Sequence, residues 1–148
     1  MMTPGLEKVG RCVAFLSMAV LCACLLGVAS LPARELHVPQ DYGTIQEAID
    51  VARPGDVILV EPGTYVENLR IDVREVAIRG TDPDASKVVI RAKFPDEPVV
   101  LIRERDVRLS NLTLTGGRRG IQIEARAHNP MLSNLILRDN EAQGLFIG

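Results

Sequence analysis

The sequence predicts an all-β chain: a right-handed parallel β-helix, a single-stranded solenoid of 22 to 24 residues per coil, opened by a short N-terminal capping α-helix. Three observations predict it. Short apolar runs with strand character recur at a spacing near 23 residues, two series of such runs interleave, and a single amphipathic helical pattern stands ahead of them all.

The first 30 residues read as a leader. Cys12 to Ala29 carries no charge and follows Lys8 and Arg11, which is the layout of a signal peptide. Gly27, Ala29, Ser30 and Pro32 cluster where the apolar run ends, so cleavage is expected near Ala29 or Ser30, with Ala33 a later option. An uncleaved anchor is the alternative, since about 18 apolar residues just span a bilayer. Leu21-Cys22-Ala23-Cys24 also resembles a bacterial lipoprotein signal with lipid on Cys24, but the apolar residues continue to Ala29. The expectation is a secreted or periplasmic bacterial protein that meets a membrane only through its signal peptide.

Composition narrows the function. The chain has 148 residues, 47% of them apolar, and a net charge of -2, which suits one globular domain. With 2 Tyr, 3 Phe, no Trp and no basic stripe, it offers no nucleic-acid interface. Removing Glu7, Lys8 and Arg11 with the leader leaves 15 basic and 18 acidic residues, so the domain over 31–148 carries -3 and does not attract an acidic polymer through net charge. All three cysteines, Cys12, Cys22 and Cys24, lie in the leader, so this domain must rely on packing without a disulfide.

After the leader, Glu35-Leu36-His37-Val38 is extended. Thr44 then opens a helix as N-cap, with Glu47 placed to complete a capping box. Ile45, Ala48, Ile49 and Ala52 fall on one face, and Pro54-Gly55 ends the helix. A helix this short is stable only over something it covers. Val57-Ile58-Leu59-Val60 is a compact apolar run, Pro62-Gly63-Thr64 a turn, and from Ile71 onward β-branched runs alternate with Gly, Asn and charge.

The runs align with one another. Val76-Ala77-Ile78-Arg79, Val99-Val100-Leu101-Ile102, Ile121-Gln122-Ile123-Glu124 and Leu145-Phe146-Ile147-Gly148 are offset by 23, 22 and 24 residues. Val88-Val89-Ile90, Leu112-Thr113-Leu114 and Leu135-Ile136-Leu137 form a second series, offset by 24 and 23. A repeat of this length with several strands and no helix suits a coil whose alternate residues fill its interior. On that reading Val76, Val99, Ile121 and Leu145 stack inward, as do Ile78, Leu101, Ile123 and Ile147. Ser110-Asn111-Leu112 recurs as Ser133-Asn134-Leu135, which predicts two stacked turn asparagines bonded to each other and to turn backbone. The helix would close the first coil, because an open end presents bare strand edges.

Thr44-Ile45-Gln46-Glu47-Ala48-Ile49-Asp50, Pro54-Gly55-Asp56-Val57-Ile58-Leu59-Val60 and Pro62-Gly63-Thr64-Tyr65-Val66-Glu67-Asn68-Leu69 resemble the opening of pectin-lyase-like right-handed β-helix proteins. The similarity covers roughly Leu36 to Gly148. The superfamily includes pectin methylesterases, pectate lyases, alginate epimerases and periplasmic proteins that help assemble copper enzymes, so the resemblance implies fold more than activity. Gly63 and Pro62 are expected in the turn, Tyr65 against the cap, and Glu67 or Asn68 on turn backbone.

A catalytic constellation is missing. The esterases' Gly-x-x-Asp-Phe signature is absent, and a calcium-dependent lyase needs several oxygen ligands in one place. Outward positions on the first series are Ala77, Val100, Gln122 and Phe146 in one row and Arg79, Ile102, Glu124 and Gly148 in the other. Arg79, Gln122, Glu124 and Phe146 are therefore the candidate substrate-binding residues, while Val100, Ile102 and Phe146 would form an apolar strip. Arg103-Glu104-Arg105-Asp106 and Arg118-Arg119 read as solvated turn charge, and Asp139-Asn140 as a turn. His37 and His128 lack any metal-ligand pattern, so no metal or cofactor is expected. The chain stops inside a strand-like run, which suggests a C-terminally truncated solenoid or an edge covered by a protein partner. The expected function is an exported scaffold, the N-terminal part of a protein that binds or processes an acidic polysaccharide or other glycan, inactive alone. If part of an enzyme, that enzyme would be a polysaccharide lyase, carbohydrate esterase or epimerase. The alternative is a noncatalytic module for a protein or glycan.

Overall fold

The computed structural model describes residues 32–148. The expected signal peptide, its cleavage point near Ala29 or Ser30 and the lipidation cysteine Cys24 lie outside the described residues.

Among the described residues, eleven strands, all paired in parallel, wind through about five turns of a β-solenoid with three faces. Face 1 stacks β1 (Glu35–Val38), β2 (Val57–Val60), β5 (Ala77–Gly80) and the first halves of β8 (Arg108–Thr115) and β10 (Met131–Arg138). Face 2 stacks β3 (Gly63–Val66), β6 (Val88–Arg91) and the second halves of β8 and β10. Face 3 stacks β4 (Leu69–Ile71), β7 (Val100–Ile102), β9 (Arg119–Ile123) and β11 (Gln143–Ile147). A 3-10 turn, Ala85–Lys87, interrupts the third coil between β5 and β6.

Alternation along each strand drives this architecture, because every second side chain enters the coil and stacks on its counterpart one coil away. Ile58, Ile78 and Leu109 form such an inward row on face 1, and Ile90 and Leu114 pair on face 2. Leu69, Val100 and Ile121 form one on face 3, beside Ile71, Ile102 and Ile123. All of these are buried and belong to one continuous core.

The structure changes the expected register in two places. Val76-Ala77-Ile78-Arg79 does not continue the series of Val99, Ile121 and Leu145: Ala77 to Arg79 belong to face 1, where they pair with Arg108 to Ser110, 31 positions on. On face 3, Val100 pairs with Ile121 and Ile102 with Ile123, a spacing of 21 instead of 22. Val100 and Ile102 are therefore inside and fully buried, Leu101 points outward, and the expected apolar strip of Val100, Ile102 and Phe146 does not form. The second series is as expected, with Val89 beside Thr113 and Leu112 beside Leu135.

The asparagine stack is present. Asn111 and Asn134 take left-handed backbone conformations, φ 58° and 47°, at the bends where β8 and β10 pass from face 1 to face 2. Asn134 Nδ2 donates to Asn111 Oδ1 at 2.8 Å and to the Pro83 carbonyl at 2.7 Å, and Asn111 Nδ2 donates to the Gly80 carbonyl at 3.3 Å. Asparagine tolerates this conformation, and its amide satisfies groups that no strand reaches.

Helix α1 (Ile45–Val51) begins with the expected capping box of Thr44 and Glu47 and buries Ile45, Ala48 and Ile49. Two longer-range contacts seat it. Glu67 accepts from the Ile45 and Gln46 amides at 3.0 Å each, placing a carboxylate on the helix's first free N–H groups. Gln46 Oε1 accepts from the Arg70 amide at 2.9 Å while its Nε2 donates to the Arg70 carbonyl at 3.2 Å. That side-chain amide stands in for a neighbouring strand and closes the edge of β4. Tyr65 packs against the core and donates to the Glu61 carbonyl at 2.9 Å.

Asp56, just before β2, is buried and accepts from Arg34 Nη2 at 2.5 Å and from the Arg53 amide at 2.8 Å. Burial works to raise its pKa, but these donors outweigh it and hold the carboxyl below its ordinary value. Its stabilising effect is therefore full above pH ~4 and fades as acid titrates the folded carboxyl. Asp56→Asn should cost about 2 kcal/mol at pH 7 and progressively less below pH ~4. Urea unfolding at both pH values reads the difference, and a gap independent of pH would contradict the account.

Candidate functional site

The outer surface of face 3 carries an ordered arrangement of polar side chains. Its register aligns Arg70, Leu101, Gln122 and Phe146 in one row, one residue per coil and ~4.8 Å apart. Arg119, at the start of β9, lies over the Phe146 ring with its guanidinium carbon 3.8 Å from the centroid. Its Nη1 also donates to Gln122 Oε1 at 2.9 Å. The stack and the hydrogen bond fix a planar cation between two coils.

A second row runs beside the first. Arg103 Nη1 donates to Asp72 Oδ1 at 3.2 Å, and its Nε lies 3.2 Å from Glu124 Oε1 without hydrogen-bond alignment. Arg126 Nε lies 3.8 Å from Glu124 Oε2 and donates to the Arg103 carbonyl. Charges thus alternate along the solenoid axis, and both carboxylates face the same guanidinium. At the N-terminal end of the face, Gln46, Asp50, Asn68, Arg70 and Asp72 line a depression of about 370 Å³.

Of the sequence-predicted site residues, Gln122 and Phe146 are direct neighbours across β9 and β11. Glu124 follows β9 on the same face. Arg79 is on face 1, exposed, between Leu59 and Ser110. Face 3 thus joins three of the four. Arg103, which reads as turn charge, belongs to the second row, and Arg119, read the same way, packs against Gln122 and Phe146 of the first. Arg119 stands three positions before Gln122, and only the correct register places it against Phe146. Among the described residues, no three His, Cys, Asp or Glu side chains converge as a metal site would require.

No family model matches the chain, and no curated protein sequence matches it. Among solved structures it is similar to pectin methylesterase PemA from Erwinia chrysanthemi, with a TM-score of 0.61 and 14% sequence identity over 80% of this chain and 46% of that chain. The chain therefore spans just under half the length of that enzyme. At this identity the likeness concerns the fold, and the right-handed β-helix expected from the opening motif is the fold found.

Proposed function

We propose that this chain is an exported β-helix scaffold that binds an acidic polysaccharide along the outer surface of face 3 and has no catalytic activity of its own. The observation that carries the reading is the row Arg70, Leu101, Gln122, Phe146 with Arg119 stacked into it. It offers guanidinium, amide and apolar groups in register along one axis, as an extended chain of carboxylated sugars would require. Guanidinium suits carboxylate recognition, and the scaffold sets its position before binding.

Catalysis would need a carboxylate pair flanking a reacting bond, or a base beside an oxygen-ligated cation. On face 3, Asp72 and Glu124 are separated by a whole coil and are both engaged with Arg103. That arrangement supports binding without turnover. Export rests on the leader, and among the described residues no helix is long and apolar enough to cross a membrane.

Isothermal titration with oligogalacturonate should give binding that weakens with salt and drops about tenfold in Arg119→Ala. No heat at low ionic strength would reject the binding reading. Incubation with methylated pectin and with polygalacturonate should release neither methanol nor unsaturated product, and sustained turnover would reject the noncatalytic one.

A further inference from the structure

The loop that carries the chain from β6 to β7 contains Phe94, whose side chain is 54% exposed although the loop itself is firmly held. Asn68 Oδ1 accepts from the Phe94 amide at 2.7 Å, and Asn68 Nδ2 donates to the Phe94 and Pro98 carbonyls at 3.2 and 2.9 Å. On the following coil the Arg118 amide donates to the Glu97 carbonyl at 3.0 Å. The loop is therefore fastened to the coil on each side of it, and Pro95 and Pro98 stiffen it further. A rigid frame that holds an aromatic ring in water has paid the ordering cost of a binding contact before any ligand arrives.

We propose that Phe94 is an aromatic platform on which one pyranose ring of an acidic glycan stacks, with Lys93 pairing with the sugar's carboxylate. This rests on the glycan-binding reading and deepens it. Lys93 Nζ lies over the Phe94 ring, 5.5 Å from its centre, so a cation caps one face of the apolar surface and the sugar would stack on the other. Asn68, which holds the loop, also lines the depression that contains Arg70, the first member of the face 3 row. The Phe94 backbone is thus tied through Asn68 to the border of that depression. Phe146, the aromatic among the sequence-predicted site residues, has a guanidinium packed 3.8 Å over its ring, whereas the ammonium over Phe94 is 5.5 Å away. A single ring among Lys93, Asp96 and Glu97 is small for a protein-docking patch but matches the apolar face of one sugar.

The chain has no tryptophan, so Phe94→Trp in the full-length protein installs a unique reporter at the platform. Titration with tetragalacturonate should shift its emission to the blue, and a neutral glucose tetramer should not. Phe94→Ala should weaken tetragalacturonate binding about tenfold with the melting temperature unchanged, and Lys93→Ala should weaken it and reduce its salt dependence. If binding persists in Phe94→Ala but is lost in Arg119→Ala, face 3 binds glycan and the platform is rejected. If wild type binds no oligosaccharide, the glycan reading falls and the platform with it. Equal binding of the neutral tetramer would overturn the role of Lys93.

Discussion

Ile49→Asp is expected to abolish the soluble monomer. Ile49 is 1% exposed on the inner face of α1, beside Ile45 and Ala48. Losing that much buried hydrocarbon costs ~2–5 kcal/mol, and an unpaired carboxylate in the same place adds several more. The sum approaches the ~5–15 kcal/mol that separates folded from unfolded domains. The cheaper escape is for the helix to leave. It then takes Gln46 from the β4 backbone and uncovers both the strand edge and the apolar interior. A bare parallel-sheet edge over an open core recruits other chains. Light scattering after size exclusion should therefore report aggregates, while Ile49→Val, which keeps the shape, should remain monomeric at a cost near ~1 kcal/mol. A monomeric Ile49→Asp with native circular dichroism would mean that α1 is not the closing element.

How far the sequence reveals this fold depends on how constant each coil is. The cap was legible because a capping box and one apolar face are local signals, and the two asparagines because their neighbours repeat with them. Face 2 was legible for the same reason. Faces 1 and 3 were not, because the third coil carries two insertions, the 3-10 turn and the Phe94 loop, which stretch its face 1 spacing to 31 while its face 3 spacing falls to 21. A fixed period then carries Val76 onto the wrong face. Val99 and Val100 compound the problem: both are β-branched and fully buried, so alternation does not say which begins the strand, and a slip of one residue inverts every side chain after it. The candidate site inherited that slip. Gln122 and Phe146 survived it because β9 and β11 share the expected spacing of 24, whereas Arg119 acquires meaning only from the ring above it. Phe94 lies outside the repeats altogether, and its one sequence signal is an aromatic residue in a proline-rich turn.

Gly80→Ala should be the most damaging single-methyl change in the solenoid. Gly80 ends β5 at the bottom of the bend column, directly under Asn111. A Cβ built there would lie 2.2 Å from the Asn111 carbonyl oxygen and 3.0 Å from Val88 Cγ2. The first obstacle is backbone of the next coil, so no rotamer change relieves it. Coils three and four must part at the bend, which strains the pairing of β5 with β8, breaks the Asn111–Gly80 bond and tilts the amide that receives Asn134. Overpacking costs ~1–3 kcal/mol and each lost hydrogen bond ~1 kcal/mol, for a total of about 3–4 kcal/mol. In a domain of this size that lowers Tm by roughly 10 °C or more. Gly55 supplies the control, because its φ of 96° disfavours a side chain but nothing lies within 4 Å of a Cβ placed on it. Gly55→Ala should therefore cost only the conformational ~1–2 kcal/mol. The two variants separate close approach from backbone conformation, and equal melting temperatures would show that the bend column yields where the geometry says it is tight.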